Sequence, residues 1–60
     1  MERKTEIARI LNGASEILVN QVYGLLDHPK SGGQITDLLI REGYHPEYGL
    51  VLAKMIVEAV

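Results

Sequence analysis

The C-terminal segment, Leu50–Val60, constrains the fold of this chain more than any other part of the sequence. Only Lys54 and Glu58 carry polar side chains in it. A helix on the outside of a helical domain needs about three apolar positions in seven. A helix that is apolar nearly all round is typical of one buried on most sides. We therefore predict a C-terminal helix that must be covered on more than one side.

The rest of the chain is too short to provide all of that cover. A domain of 60 residues buries only about 60% of the surface of its unfolded chain, and its core rarely supplies more than about 3–5 kcal/mol. The chain has no cysteine, so disulfides cannot supplement the core. We expect residues 1–60 to form a single helical domain that assembles as a homo-oligomer, with a dimer favoured. The predicted interface residues are Leu50, Val51, Met55, Val57 and Val60.

Two other interpretations of the C-terminal helix remain open at this stage. The same surface could bind a different protein partner. Alternatively, residues such as Ala53, Val57 and Val60 are simply exposed, as scattered surface apolar residues often are. A monodisperse and stable monomer would contradict self-association and leave both of these interpretations open.

The N-terminal half has the pattern of one long amphipathic helix. Its apolar residues recur at spacings of three and four, as expected for one helix face. That face consists of Ile7, Ile10, Leu11, Ala14, Ile17, Leu18, Val22, Leu25 and Leu26. The competing signal is Asn12-Gly13, a pair common in turns and at helix C-termini. In that alternative the helix breaks there, and Ser15 caps a second helix.

Two connectors divide the remainder of the chain. Asp27–Gly33 contains Pro29, which disfavours helical geometry at the preceding residue. Ser31 followed by Gln34 matches a capping box, which predicts a second helix over Gly33–Arg41. Its inward-facing residues are predicted to be Ile35, Leu38 and Leu39.

The second connector is short and predicts where the last helix begins. Gly43 stands where a left-handed C-cap belongs, and Pro46 suits the first position of a helix. Tyr44 and Tyr48 lie on either side of that start. We expect their rings to close one end of the bundle, with their hydroxyl groups in water. The predicted architecture is therefore a three-helix unit, with one long helix followed by a helix-turn-helix-like pair.

The segment from Gln34 to Glu47, which includes Gly43-Tyr44-His45-Pro46, resembles the helix-turn-helix of some bacterial regulators. It is also similar to that of phage small terminase subunits, in which a Gly-Tyr-x-Pro run enters the second helix. The resemblance implies a compact dimeric DNA-binding protein of bacterial, archaeal or phage regulator type. Its candidate nucleic-acid contacts are Lys30, Arg41 and Lys54, brought together with their symmetry mates.

Charge and residue type weaken the expectation of DNA binding. Recognition helices present Arg, Lys, Asn, Gln or Ser to base edges, whereas the last helix offers Glu47, Tyr48 and Lys54. Glu42 and Glu47 beside the turn would repel phosphates, and the net charge is −2. We therefore keep nucleic acid as the alternative partner and protein as the favoured one.

The sequence offers no combination of residues that points to catalysis, and we predict that the protein is not an enzyme and takes no cofactor. His28 and His45 lie in connectors and lack the i, i+4 spacing of a helical zinc site. Asp27, His28 and Ser31 have the residue types of a triad, but three neighbours in one turn rarely form one. The longest apolar segment is about half the roughly 20 residues that cross a bilayer. A cytoplasmic, non-membrane protein of regulatory or adaptor type is therefore expected.

Overall fold

The computed structural model describes residues 2–59, which form four α-helices and no strand. The helices are α1 (Arg3–Leu11), α2 (Glu16–Leu25), α3 (Ser31–Arg41) and α4 (Pro46–Ala59). The all-helical class is confirmed. The three-helix arrangement is wrong, because the predicted long first helix is two helices.

The break lies at Asn12-Gly13, as the alternative interpretation proposed. Asn12 adopts a left-handed conformation with φ 46°, and its N–H donates to the Ala8 carbonyl at 3.0 Å. Gly13 follows with φ 98°. Ser15 then caps α2, since its hydroxyl oxygen accepts a hydrogen bond from the Leu18 N–H at 3.2 Å. Asn and Gly tolerate positive φ better than other residues do, so the chain turns here.

This turn changes which residues of α2 enter the core. A continuous helix would have placed Ile17 on the apolar face, but Ile17 is 72% exposed. Val19, which lay outside the predicted face, is buried together with Leu18 and Val22. Residues 12–15 are not helical, so the rotation of about 100° per residue restarts at Glu16 with a different phase.

The start of α3 also differs from the prediction. The helix begins at Ser31 rather than Gly33, and Lys30 occupies the N-cap without a side-chain capping hydrogen bond. The Gln34 N–H donates to the Lys30 carbonyl at 3.0 Å, while the Gln34 side-chain amide bonds the His28 ring. The capping box predicted for Ser31 and Gln34 is therefore wrong, because Ser31 already lies inside the helix.

The connection between α3 and α4 follows the prediction closely. Gly43 has φ 104° and its N–H donates to the Ile40 carbonyl, while the Tyr44 N–H reaches the Leu39 carbonyl at 3.0 Å. These two bonds define a Schellman C-cap. Pro46 is the first residue of α4, as its position after the turn predicted.

The helices form a closed ring in which each packs against two others. α1 packs against α2 and α4, α3 packs against the same two helices, and the α3–α4 contact is the most extensive. Within residues 2–59 the core contains no polar or charged side chain. Its members are Ile7, Ile10, Leu11, Leu18, Val19, Val22, Ile35, Leu38, Leu39, Leu52, Ala53 and Ile56. The three residues predicted to face inward from α3 are all among them.

Candidate functional site

One side of α4 lies in the core and the other sides are open. The buried residues of α4 are Gly49, Leu52, Ala53 and Ile56, which span an arc of about 100° at about 100° per residue. Ala53 is 1% exposed, so it is a core residue and not a surface one. Gly49 lies against α3, since a Cβ there would be 3.6 Å from Leu39 Cβ. The remaining circumference of α4 faces away from the core.

The described members of the predicted interface are all exposed on α4. Leu50, Val51, Met55 and Val57 have exposed fractions of 47%, 53%, 46% and 40%. Val60 lies outside the described residues. The apolar excess noted in the sequence is thus divided between the core and the surface of the same helix.

These exposed residues form two separate surfaces. Val51 and Met55 align with Tyr48, which is 56% exposed, and we call these three residues the Tyr48 row. Leu50 and Val57 are seven residues apart and lie about 140° around the helix axis from that row. We call this pair the Leu50 edge. A single partner helix can therefore cover one of the two surfaces but not both.

A charged strip separates the Tyr48 row from the Leu50 edge. It consists of Glu47, Lys54 and Glu58, whose positions in α4 fall between the two apolar surfaces at about 100° per residue. Glu47 and Lys54 are two helical turns apart, which is about 10 Å along the axis. The Tyr48 row is thus bordered on this side by two negative charges and one positive charge, with Lys54 between Glu47 and Glu58.

Tyr48 is held in place by Tyr44. The two rings stack with centroids 6.2 Å apart and planes inclined by 24°, and Tyr44 packs partly buried against the core. An exposed aromatic ring fixed in this way loses little side-chain entropy when a partner covers it. Tyr48 is predicted from the sequence to close the bundle end and is not among the predicted interface residues, whereas the structure places it in this row. The 48, 51, 55 spacing, three and then four residues, is the heptad signal that could have found it.

The candidate nucleic-acid contacts lie at the two ends of α3 and on α4. Lys30 precedes α3 and Arg41 lies in its last turn, about 16 Å apart along the helix axis. Lys54 lies on a different helix, on the strip that also holds Glu47 and Glu58. The cations that the helix-turn-helix resemblance implied are therefore dispersed, with acidic residues beside one of them.

Neither histidine belongs to a chemical site in the described residues. The His28 ring accepts from the Lys30 N–H and contacts the Gln34 amide. Its imidazole makes no hydrogen bond to the Ser31 hydroxyl. His45 Nδ1 accepts from the Glu47 N–H at 3.2 Å and thereby caps α4. Among residues 2–59, no three His, Asp or Glu side chains are grouped to hold a metal ion.

A groove between α2 and α3 is a second surface feature of the molecule. It is open, has a volume of about 600 Å³ and is lined by Leu25, Gln34, Asp37, Ile40 and Arg41. It contains no Ser, Cys or His that could act as a nucleophile or as an imidazole base. Within the described part of the chain, the helices are all too short or too polar to cross a membrane.

Comparison of the chain with protein-family models, with curated proteins and with solved structures finds no match in any of the three. The exposed surface of α4 is therefore the observation that bears on function. The feature of that geometry with the strongest physical basis is the Tyr48 row.

Proposed function

We propose that this protein is a small, non-catalytic regulatory or adaptor protein that acts through protein–protein contacts of α4, including self-association. The observation that supports the proposal is the Tyr48 row. Tyr48, Val51 and Met55 are about half exposed on a helix whose opposite side is fixed in the core. Clustered exposed apolar side chains mark interaction surfaces, and tyrosine is enriched among the residues that contribute most to binding.

The size of the surface indicates a weak association. Complete burial of a large apolar side chain is worth about 1.5–3 kcal/mol, so covering three half-exposed ones gains roughly 3 kcal/mol per protomer. A symmetric pair gains about twice that, against an association cost of about 4–15 kcal/mol. Interfaces below about 1,200 Å² in total belong to weak and transient complexes. We therefore expect a weak dimer with a dissociation constant of about 1 mM or higher, which dissociates on dilution.

DNA binding is the less favoured alternative for physical reasons. Proteins that bind phosphates cluster Lys and Arg on one face, whereas Lys30 and Arg41 lie at opposite ends of α3 and Lys54 lies on α4. The side of α4 that is open to solvent presents apolar side chains and a strip with two acidic residues, Glu47 and Glu58, and one basic residue, Lys54. Association through apolar side chains is nearly indifferent to salt or strengthened by it, while DNA binding weakens steeply as salt rises.

Sedimentation equilibrium between about 50 µM and about 5 mM, which spans the dissociation constants expected for so small an interface, tests the proposal. The molar mass should rise with concentration towards that of a dimer. Met55→Glu should shift the protein to monomer, because it places a charge in the Tyr48 row. Leu50→Glu is the matched control, since Leu50 has nearly the same exposure but lies on the Leu50 edge, and it should leave the mass unchanged.

Two results would contradict the proposal. One is a wild-type protein that stays monomeric over the whole range. The other is an equal effect of Met55→Glu and Leu50→Glu with folding intact by circular dichroism. Binding of duplex DNA that declines steeply with salt would support the helix-turn-helix alternative instead.

A further inference from the structure

We infer that α4 pairs with α4 of a second copy in the antiparallel direction, with Tyr48 of each helix packed against Val51 of the other. This inference rests on the proposed function, because it names the partner and the geometry of the same surface. The spacing of the Tyr48 row and the order of charges beside it carry the inference.

The Tyr48 row has the spacing of a short coiled-coil seam. Tyr48, Val51 and Met55 are separated by three and then four residues, which matches the a, d, a positions of a heptad. The next d position is Glu58, so the apolar seam ends at Met55, and Glu58 lies beyond the part of α4 that overlaps in the antiparallel register. Antiparallel seams pair a with d, so each Tyr48 lies against Val51 of the second copy. Met55 then reaches the Tyr44–Tyr48 stack of that copy, where its sulfur makes a favourable contact with aromatic rings.

The charges beside the seam are complementary to themselves in this orientation. Glu47 and Lys54 each precede an a position and are therefore g positions. A two-fold axis perpendicular to the helix pair places the charged strips of both copies along the same side of the seam. In the register that pairs Tyr48 with Val51, Glu47 of each copy lies within one turn of Lys54 of the other. The dimer thus gains two ion pairs, and charges at such positions select orientation.

A parallel pair would lose these contacts. Across a parallel seam a g position faces an e position, and the e positions of α4 are Leu52 and Ala59. Leu52 is 4% exposed because it lies in the core of its own chain. Glu47 and Lys54 would then have no charged partner across the seam. The charge pattern therefore favours the antiparallel orientation.

A charge swap tests the ion pairs. At low ionic strength, where surface charges are least screened, Lys54→Glu should weaken dimerisation roughly tenfold, because it removes two ion pairs and creates two repulsions. The double variant Glu47→Lys/Lys54→Glu restores both pairs with their signs exchanged. It should return the dissociation constant to within about threefold of the wild-type value. Lys4→Glu makes the same change in net charge on α1, where the Lys4 ammonium lies over the Tyr23 ring of α2, and should have little effect.

A distance measurement tests the orientation directly. The chain has no cysteine, so a spin label on Glu58→Cys is unique in each copy. In the antiparallel register two such labels are 17 residues apart along the axes, which gives about 25–30 Å at 1.5 Å per residue and an interaxial distance of 8–10 Å. A parallel pair brings the labels within about 10–20 Å.

The outcomes separate this inference from the proposed function. A dimer with a short label distance, or one in which the double variant is as weak as Lys54→Glu, overturns the antiparallel pairing and leaves self-association through α4 standing. A wild-type monomer at all concentrations overturns both. A long label distance together with rescue by the double variant supports the antiparallel dimer.

Discussion

Two serines in this chain precede or begin a helix, and only one of them caps it. Ser15 is the N-cap of α2, and its hydroxyl oxygen accepts from the Leu18 N–H at 3.2 Å. Ser31 has the capping-box spacing with Gln34, yet it lies within α3 and Lys30 is the N-cap. Replacing each serine by alanine therefore tests which of the two side chains stabilises the start of its helix.

We expect Ser15→Ala to destabilise the fold by about 1 kcal/mol, within the range of about 0.5–2 kcal/mol for loss of an N-cap side chain. That is a large share of the roughly 3–5 kcal/mol available to a domain of this size. It corresponds to a fall in melting temperature of about 4–8 °C for each kcal/mol. Ser31→Ala should be neutral or slightly stabilising, since alanine is the better helix former.

Thermal unfolding followed by far-ultraviolet circular dichroism measures both variants. All samples need the same protein concentration, because self-association raises the melting temperature in a concentration-dependent way. Ser15→Asp retains an oxygen that can accept from the Leu18 N–H and should recover most of the lost stability. If Ser31→Ala lowers the melting temperature as much as Ser15→Ala, the assignment of the caps is refuted.

Two further predictions concern stability. Gly43→Ala should destabilise the fold by about 1–2 kcal/mol, because φ is 104° and a Cβ is strained in that region. Gly24→Ala in α2, where no atom lies near the added Cβ, should stabilise the fold slightly. Chemical denaturation measures the free energy of unfolding of both variants. Hydrogen bonds from Arg9 lower the pKa of Glu6, so their contribution is present above the unfolded-state pKa of Glu6 and is lost as pH falls through the folded-state pKa. Glu6→Gln should therefore flatten part of the acid dependence of the melting temperature, and an unchanged slope would contradict this assignment.

The first helix illustrates how far local patterns reach. The apolar spacing was compatible with one helix or two, because Asn12 and Gly13 disfavour a helix only modestly. The structure resolves the choice through packing. With a turn at residues 12–15, α1 and α2 can both contact the core, and Val19 enters it in place of Ile17. The exchange of Ile17 for Val19 in the core cannot be read from an apolar pattern that fits both arrangements.

The sequence by itself determined the helical class, the Gly43 C-cap, the start of α4 at Pro46 and the inward residues of α3. These features depend on backbone preferences and on a regular alternation of polar and apolar positions, both of which are local. Only the tertiary structure decided which apolar residues of α4 are buried and which form the Tyr48 row. A helix that is apolar nearly all round has too few polar positions to define which apolar side is buried, so the contacts with neighbouring helices set its orientation.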